Sequence, residues 1–325
     1  MLRTVHHKNS YAMIPTLKDV QSAVKRIEPY VHNTPVFTST TIDRIMNATV
    51  FFKCENFQRM GAFKLRGATN AILQLSDEER ARGVITHSSG NFAAALALAA
   101  RSLDTKAYIV MPSNAPKVKK EAVAGYGAQI IECLPTLKSR ESTMLTHQKK
   151  TGATFVHPSN DINVILGNST AVWEMAKKVD HLDVVIAPVG GGGLIAGTAL
   201  ATNHLSYYIE TIGAEPFGAD DAYLSLKTGK IQPSINPKTI ADGLKTQLGD
   251  INFPIIQKFV SKIIRVEESE IIEAMKFIWE RMKIVIEPSS AVAVAAMFRN
   301  LSEFKNRKVG VILSGGNVDV TNLPF

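Results

Sequence analysis

The chain has little of what marks secreted, membrane-spanning or metal-clustering proteins. It has two cysteines in 325 residues, Cys54 and Cys133, and neither has a cysteine or histidine at metal-binding spacing. We therefore expect both to be reduced core residues of a cytoplasmic protein. No apolar run approaches the ~18 residues of a membrane helix. The first fifteen residues, MLRTVHHKNSYAMIP, lack the apolar segment of a signal peptide. The sequence thus predicts neither secretion nor membrane insertion.

Clustered charge is also missing. Lys and Arg number 37 against 29 Asp and Glu, a formal net charge of +8 that would suit a polyanionic partner. The basic residues are scattered, however, without the basic patches and interleaved aromatic residues of nucleic-acid-binding proteins. A small anionic ligand accounts for the excess equally well. No linker rich in proline and glycine divides the chain, so any second domain must be inserted into the first.

Short apolar segments alternate with amphipathic ones along most of the chain. This order is typical of an α/β fold, in which parallel strands are joined by helices on both faces of the sheet. In such sheets the ligand binds at the carboxyl ends of the strands. The predicted strands are VFFKC, GVITH, KAYIVM, AQIIEC, ATFVH, DVVIAPVG, ETIGAEP and VGVILSGG. The predicted helices include TLKDVQSAVKRIEPYV, NFAAALALAARSL, PKVKKEAVAGY, STAVWEMAKKV and SEIIEAMKFIWERMK.

Four consecutive glycines follow one predicted strand and precede the helical segment LIAGTALA. Their backbone N–H groups, reinforced by the helix dipole, would form a concave site for a phosphate group. A flexible surface loop is the alternative, and the apolar segments on both sides argue against it. The pattern is neither a Walker loop nor a GxGxxG fingerprint. The glycines are Gly190, Gly191, Gly192 and Gly193.

Two further loops combine small hydroxyl residues with glycine where a strand ends. The turn SSGN, from Ser88 to Asn91, precedes an alanine-rich helix, and its hydroxyls and backbone donors would suit a carboxylate. The turn SGGN begins at Ser314. Helix capping is the alternative role for the serines in both turns.

One lysine stands out by its neighbours. In ENFQRMGAFKLRGATNA, Lys64 lies between Phe63 and Leu65, with a glycine three residues away on each side. Withdrawal from water lowers the pKa of an amine, and a neutral amine is a nucleophile. The alternative is that Lys64 lies on a solvated helix face beside Arg66.

Seven motifs together resemble one family, the fold-type II pyridoxal 5'-phosphate enzymes, in the branch of serine racemase and the serine/threonine dehydratases. Their order and spacing extend from about residue 15 to 320. The resemblance implies a fold like that of the tryptophan synthase β subunit, with two three-layer α/β domains and mostly parallel sheets. It also implies a homodimer, a large domain formed by residues 1–56 plus 159–325, and a small mobile domain formed by residues 57–158. The motifs are GAFKLRGA, SSGN, GYGA, VGGGGLIAG, TIADG, WERMK followed by EPSSA, and LSGGNVD.

The resemblance also assigns residues to the cofactor. Lys64 would bind pyridoxal 5'-phosphate covalently and, once released, take the α-proton of the substrate as general base. Phe63 would lie beside the cofactor ring, Asn91 would bond its 3'-oxygen, and Ser314 would meet its pyridine nitrogen. The phosphate would be held by Gly190, Gly191, Gly192 and Gly193.

The substrate would be bound by the SSGN turn. The resemblance assigns its carboxylate to Ser88, Ser89, Gly90 and Asn91, and makes Ser89 the catalytic acid on the opposite face of the substrate. Arg140 and Glu141 match positions near the substrate and the lid of the racemases. A solvated helix face is the alternative for this charged pair.

A divalent cation site is implied as well. Glu215, the carbonyl of Ala219 and Asp221 match a racemase site for Mg²⁺ or Ca²⁺, cations that prefer oxygen ligands. A charged turn is the alternative.

The expected activity is β-elimination of L-serine or L-threonine to a 2-oxo acid and ammonia, together with serine racemase activity. One alternative is an ammonia-lyase for threo-3-hydroxyaspartate or for a phenylserine-type substrate; another is a non-catalytic protein that binds the cofactor or an amino acid. Three motifs depart from the family pattern: SSGNHAQA reads SSGNFAAA, with Phe92; GQGT reads GNST, with Asn168; and GSFK reads GAFK, with Ala62. An apolar Phe92 would make the pocket more receptive to apolar substituents.

Overall fold

The computed structural model describes residues 14–206 and 208–325. The expectation about MLRTVHHKNSYAMIP therefore falls, except for its last two residues, outside the described residues. The helices are α1 Leu17–Ile27, α2 Thr40–Met46, α3 Lys64–Leu73, α4 Asp77–Arg82, α5 Asn91–Ser102, α6 Lys117–Gly125, α7 Leu137–Thr151, α8 Ile162–Ala176, α9 Gly193–Leu205, α10 Asp221–Thr228, α11 Phe253–Phe259, α12 Glu268–Met282, α13 Pro288–Arg299 and α14 Leu301–Phe304. The strands are β1 Val36–Phe37, β2 Thr49–Cys54, β3 Val84–His87, β4 Ala107–Pro112, β5 Gln129–Cys133, β6 Thr154–Phe155, β7 Val184–Pro188, β8 Glu210–Pro216, β9 Lys262–Val266 and β10 Lys308–Leu313.

The strands form two sheets. A six-stranded sheet has the order β1-β2-β10-β7-β8-β9, and a four-stranded sheet has the order β5-β4-β3-β6. Every pairing is parallel except that of β1 with β2. The predicted α/β fold with mostly parallel sheets is therefore confirmed. The two strands that the sequence did not predict, β1 and β9, both lie at the edges of the larger sheet.

Each sheet is packed on both faces. One face of the large sheet carries a core formed with α2, α12 and α13, and the other carries a core formed with α1, α8, α9 and α11. The four-stranded sheet packs against α3 and α5 on one face and against α7 on the other. Buried apolar area on both faces explains why the strands read as continuous apolar segments rather than as alternating ones.

One helix begins earlier than the sequence predicted. The segment STAVWEMAKKV was expected to begin a helix at residue 169, but α8 begins at Ile162, where the Asp161 side chain accepts from Asn163 N at 2.8 Å and from Val164 N at 3.2 Å. The GNST segment therefore lies inside the helix. A Cβ on Gly167 would lie 2.4 Å from the carbonyl oxygen of Arg66, so glycine there permits the close crossing of α8 with α3.

The four-stranded sheet is built from residues 84–155, all of which fall within the range 57–158 predicted for the small domain. The exact division of the chain into two domains stays a prediction. Among the described residues, no helix combines the length and the apolar character that crossing a membrane requires.

Candidate active site

The segment that carries Lys64 is held by the loop after β10. Ala62 forms an isolated antiparallel bridge with Gly315, and Phe63 N donates to Ser314 O at 3.0 Å. The chain reaches this bridge through Gly61, whose φ of +77° favours glycine. The first residue of α3 is Lys64 itself. The GAFK and SGGN motifs, about 250 positions apart in the chain, are thus neighbours because of this backbone pairing.

The Lys64 amine is in an apolar setting. Its Nζ donates to Pro158 O at 3.1 Å and lies 4.9 Å from the ring centroid of Phe63 and 5.9 Å from that of Phe92. Burial lowers the pKa of Lys64 to about 8, although the charge of Glu287 opposes this shift. An amine with this pKa is unprotonated in an appreciable fraction of molecules near neutral pH, as a nucleophile or general base requires.

The alternative, a solvated face shared with Arg66, is wrong. Arg66 is fully buried, and its guanidinium bonds Glu55 at 2.7 Å and Glu174 at 2.7 Å. The buried Lys53 joins the same cluster through Glu174 at 2.6 Å. Because two cations face two anions, the cluster is formally neutral, and it connects α3 to the end of β2 and to α8.

The glycine run follows β7 and ends at the first residue of α9, and all four of its residues are buried. The alternative of a surface loop is therefore wrong. Added Cβ atoms would meet Gly243 O at 2.8 Å from position 190, Ser159 Oγ at 2.4 Å from 191, Asn252 Oδ1 at 2.7 Å from 192 and the Cα of Ser159 at 2.9 Å from 193. Within the described residues, no protein acceptor bonds the N–H groups of the four glycines. Buried, unpaired donors at the start of a helix suit an anionic ligand.

Asn91 is the first residue of α5 and bonds an acidic residue that sequence reasoning did not single out. Its Nδ2 donates to both carboxylate oxygens of Glu287, at 2.9 and 3.0 Å, and its Oδ1 accepts from Asn317 Nδ2 at 3.0 Å. Burial raises the pKa of Glu287 to about 7, while the Asn91 bonds oppose this shift. Glu287 begins the EPSSA motif, so its position in a recognised motif was the available signal.

The remaining residues of the SSGN turn lie immediately before Asn91. The residue that caps α5 is Gly90, not Ser88 or Ser89, so helix capping does not explain either serine. Ser88 Oγ accepts from Gly90 N at 3.4 Å, and Ser89 is half-buried. Arg140, on α7, is also half-buried, and its Nε lacks a hydrogen-bond partner among the described residues. Glu141 is exposed, so the solvated-face alternative holds for Glu141 alone.

One turn connects Lys64 to the glycine run. Pro158 O accepts from the lysine amine, and the next residue, Ser159, lies against both Gly191 and Gly193. His157 holds this turn, since its Nδ1 accepts from Ser159 N at 3.1 Å and from Asn160 N at 2.7 Å. Burial lowers the pKa of His157 to about 4, so the ring is neutral and its lone pair remains available. Neither His157 nor Ser159 was singled out in the sequence.

The residues predicted to bind a cation lie around the end of β8. Glu215 is fully buried and accepts from Ala222 N at 3.1 Å and Tyr223 N at 2.7 Å. Asp221 is buried with neither carboxylate oxygen hydrogen-bonded to a described residue, and burial raises its pKa to about 6. Ala219 lies between these two residues in the sequence and is also buried. The two carboxylates are therefore buried, unlike those of an ordinary solvated turn.

Two departures from the family pattern are buried close to α3. The ring of Phe92 is 2% exposed and faces the Lys64 amine. Asn168 is fully buried, and neither atom of its amide has a hydrogen-bond partner among the described residues. A Cβ on Gly67 would lie 2.7 Å from Asn168 Oδ1, so this amide packs against the helix that begins at Lys64.

A family model described as pyridoxal-phosphate dependent enzyme matches residues 27–315. Serine racemase from Dictyostelium discoideum is 48% identical and covers 95% of this chain and 96% of the relative. The beta-hydroxyaspartate dehydratase from Paracoccus denitrificans is 47% identical and covers 96% of this chain and 99% of the relative. The crystal structure of the Dictyostelium racemase aligns with a TM-score of 0.91 at 47% identity over 94% of this chain and 99% of that one. Maize serine racemase aligns with a TM-score of 0.92 at 43% identity over 95% of each chain.

Proposed function

Because the chain belongs to the pyridoxal-phosphate-dependent enzyme family, we propose that it deaminates a β-hydroxy amino acid by β-elimination and also racemises serine. The observation that carries this proposal is Lys64, an amine with a pKa of about 8. The turn at Pro158 connects it to four buried glycines whose N–H groups are unpaired among the described residues. A non-catalytic binding protein has no use for an amine poised as a base, so we favour the enzyme.

The residues present fit pyridoxal 5'-phosphate. Gly190 to Gly193 would hold the phosphate, since their N–H donors lack protein acceptors in the described chain and a Cβ at any of the four would collide with neighbouring protein atoms. Phe63, Asn91 and Ser314 would surround the ring. The bound cofactor supplies an electron sink for the pair left when the α-proton departs. Ser314 would place a hydroxyl rather than a carboxylate beside the ring nitrogen, and a hydroxyl would hold a proton there less firmly.

Protons are moved by this chain's own side chains. Lys64 would take the α-proton at Nζ, and its bond to Pro158 O would orient the amine. Ser89 would return a proton to the opposite face in racemisation, which reverses the configuration at Cα. The N–H groups and hydroxyls of residues 88–91 would bind the substrate carboxylate.

A 3-hydroxyaspartate substrate is the second candidate, and Arg140 supports it. Its Nε is buried without a partner in the described chain, and a second carboxylate on the substrate would supply one. The Paracoccus relative is a beta-hydroxyaspartate dehydratase, and a Saccharomyces cerevisiae relative is an L-threo-3-hydroxyaspartate ammonia-lyase, 44% identical over 309 residues.

We further propose a Mg²⁺ or Ca²⁺ site at Glu215, the carbonyl of Ala219 and Asp221. The unpaired buried oxygens of Asp221 support it, because a buried carboxylate without a partner is costly and a hard cation would satisfy it. Mg²⁺ or Ca²⁺ should raise the melting temperature of the wild-type protein, and Asp221→Asn should abolish the rise. A cation effect that survives in Asp221→Asn would exclude this site.

A cytoplasmic homodimer with a mobile small domain completes the proposal. Two free, buried cysteines among the described residues support a reducing compartment. The four-stranded sheet from residues 84–155 supports a small domain at 57–158 that closes over the site.

The decisive experiment is a substrate screen with the purified holoenzyme. We expect 2-oxo acid and ammonia from serine, threonine or threo-3-hydroxyaspartate, with phenylserine as the apolar comparison. Lys64→Ala should lose all activity and the absorbance of the lysine-bound cofactor. Arg140→Met should selectively weaken turnover of 3-hydroxyaspartate if that is the substrate. Bound cofactor with neither ammonia release from any of the four compounds nor racemisation of serine would favour the non-catalytic alternative.

A further inference from the structure

Asn252 is a fully buried amide in contact with the glycine run. It is the residue immediately before α11. Its Nδ2 donates to Gly191 O at 2.8 Å and to Ser159 O at 3.2 Å, while its Oδ1 accepts from Gly249 N at 3.1 Å. Both donor hydrogens and the acceptor oxygen are therefore used, which is what a buried amide needs to be stable.

The bond to Gly191 O determines the direction of a neighbouring donor. The described chain has no cis peptide bond, and in a trans peptide the C=O and N–H groups point in opposite directions. Since Asn252 holds the carbonyl of Gly191, the N–H of Gly192 must point away from Asn252. That N–H has no protein acceptor in the described part of the chain.

The next residue leaves little freedom for a different arrangement. Gly192 has φ of +83°, and a Cβ there would lie 2.7 Å from Asn252 Oδ1. The amide of Asn252 thus fills the space beside Gly192 and bonds the peptide before it. Without the Asn252 donors, the Gly191–Gly192 peptide of a flexible glycine run would be free to rotate.

We infer that Asn252 is a positioning residue for the phosphate-binding glycines, because it orients the Gly192 N–H toward the anion. The inference rests on the proposed cofactor site. Asn252 would touch neither cofactor nor substrate; it would act through the Gly191–Gly192 peptide and through Ser159, which lies against Gly191 and Gly193.

The test compares two ligands that differ only in the phosphate group, pyridoxal 5'-phosphate and pyridoxal. Apoprotein is titrated with each, and binding to Lys64 is followed by absorbance. The Asn252→Leu variant keeps a side chain of similar shape but removes the amide donors and the amide acceptor. We expect its affinity for pyridoxal 5'-phosphate to fall by about tenfold or more, as for a lost bond to a charged group, and its affinity for pyridoxal to change by less than about threefold.

Asn70→Leu is the matched control. Asn70 is also fully buried and bridges two groups, donating to Asn163 O at 2.7 Å and accepting from Arg26 at 2.7 Å, and neither partner belongs to the glycine run. The Asn70→Leu variant should destabilise the fold about as much as Asn252→Leu does. It should weaken the binding of both ligands by a similar factor, or the binding of neither.

Each result decides something. Equal weakening of both ligands by Asn252→Leu, an unchanged affinity for pyridoxal 5'-phosphate, or the same selectivity change in Asn70→Leu would overturn the inference. Asn252→Ala replaces the leucine variant if the latter does not fold, and failure of both to fold would make Asn252 a folding residue and also overturn it. Wild-type apoprotein that does not take up pyridoxal 5'-phosphate would instead contradict the proposed function.

Discussion

At the scale of single residues, the chemistry of the site depends on how far burial shifts ordinary side chains. Loss of hydration lowers the pKa of Lys64 to about 8 and raises that of Glu287 to about 7. The pKa values of the two groups therefore lie close together, whereas the ordinary pKa values of lysine and glutamate are about six units apart. Such convergence is typical of sites where protons are exchanged.

The pKa of Lys64 leads to a prediction for cofactor uptake. Below pH 8 the amine is mostly protonated, so the rate at which apoprotein takes up pyridoxal 5'-phosphate should rise about fivefold from pH 7 to 8 and about twofold from pH 8 to 9, and should level off above pH 9. Stopped-flow absorbance between pH 7 and 10 measures this rate. An amine with the ordinary lysine pKa would give a rate that still rises steeply between pH 9 and 10, and that outcome would contradict the shift.

At the scale of elements, the position of Lys64 depends on how α3 is anchored. The helix begins directly after the Ala62–Gly315 bridge, and two residues later Arg66 connects it to Glu55 and Glu174. A buried cation with two carboxylates is stable only while all the partners remain, because each ion has lost its hydration.

Arg66→Lys tests this anchor. A lysine keeps the charge but does not reproduce the planar fork that bonds both carboxylates, so we expect the free energy of unfolding to fall by about 3 kcal/mol or more. Urea unfolding of the apoprotein gives the value. Arg80→Lys is the control, since the Arg80–Asp77 pair is largely exposed and its replacement should change stability by less than about 0.5 kcal/mol. Equal effects of the two substitutions would show that the buried cluster is not an anchor.

At the scale of the whole molecule, an ion pair joins the parts of the chain predicted to be separate domains. Lys119, on α6, donates to Asp242 at 2.7 Å. Asp242 precedes Gly243, whose carbonyl oxygen borders Gly190, so the pair lies beside the glycine run. Both side chains are partly exposed, and salt therefore screens their attraction.

We expect this pair to contribute to closure of the small domain. Lys119→Asp and Asp242→Lys should each raise KM about twofold to fivefold, and the charge-swapped double variant should recover most of the loss, as for an exposed pair worth up to about 1 kcal/mol. High salt should also raise the KM of the wild-type protein, because it screens the pair. Strictly additive effects in the double-mutant cycle would show that the two residues do not act together.

Much of this protein is determined locally, by its sequence alone. Apolar segments alternating with helical ones predict the α/β fold, because each pattern reflects burial within a single element, and the glycine run and the Lys64 motif are recognisable because their conformational and electronic requirements are local. The fold-type II family and its cofactor follow from those motifs, and both are supported by the family match over residues 27–315.

Only the tertiary structure decided which distant groups meet. The strands β1 and β9 escaped prediction because edge strands are short or only partly buried. The sequence did not predict the roles of Glu287, His157 and Asn252, because a single carboxylate, imidazole or amide has no distinctive local pattern. Their importance arises from partners up to about 200 positions away and from the exclusion of water, and both exist only once the two sheets have packed.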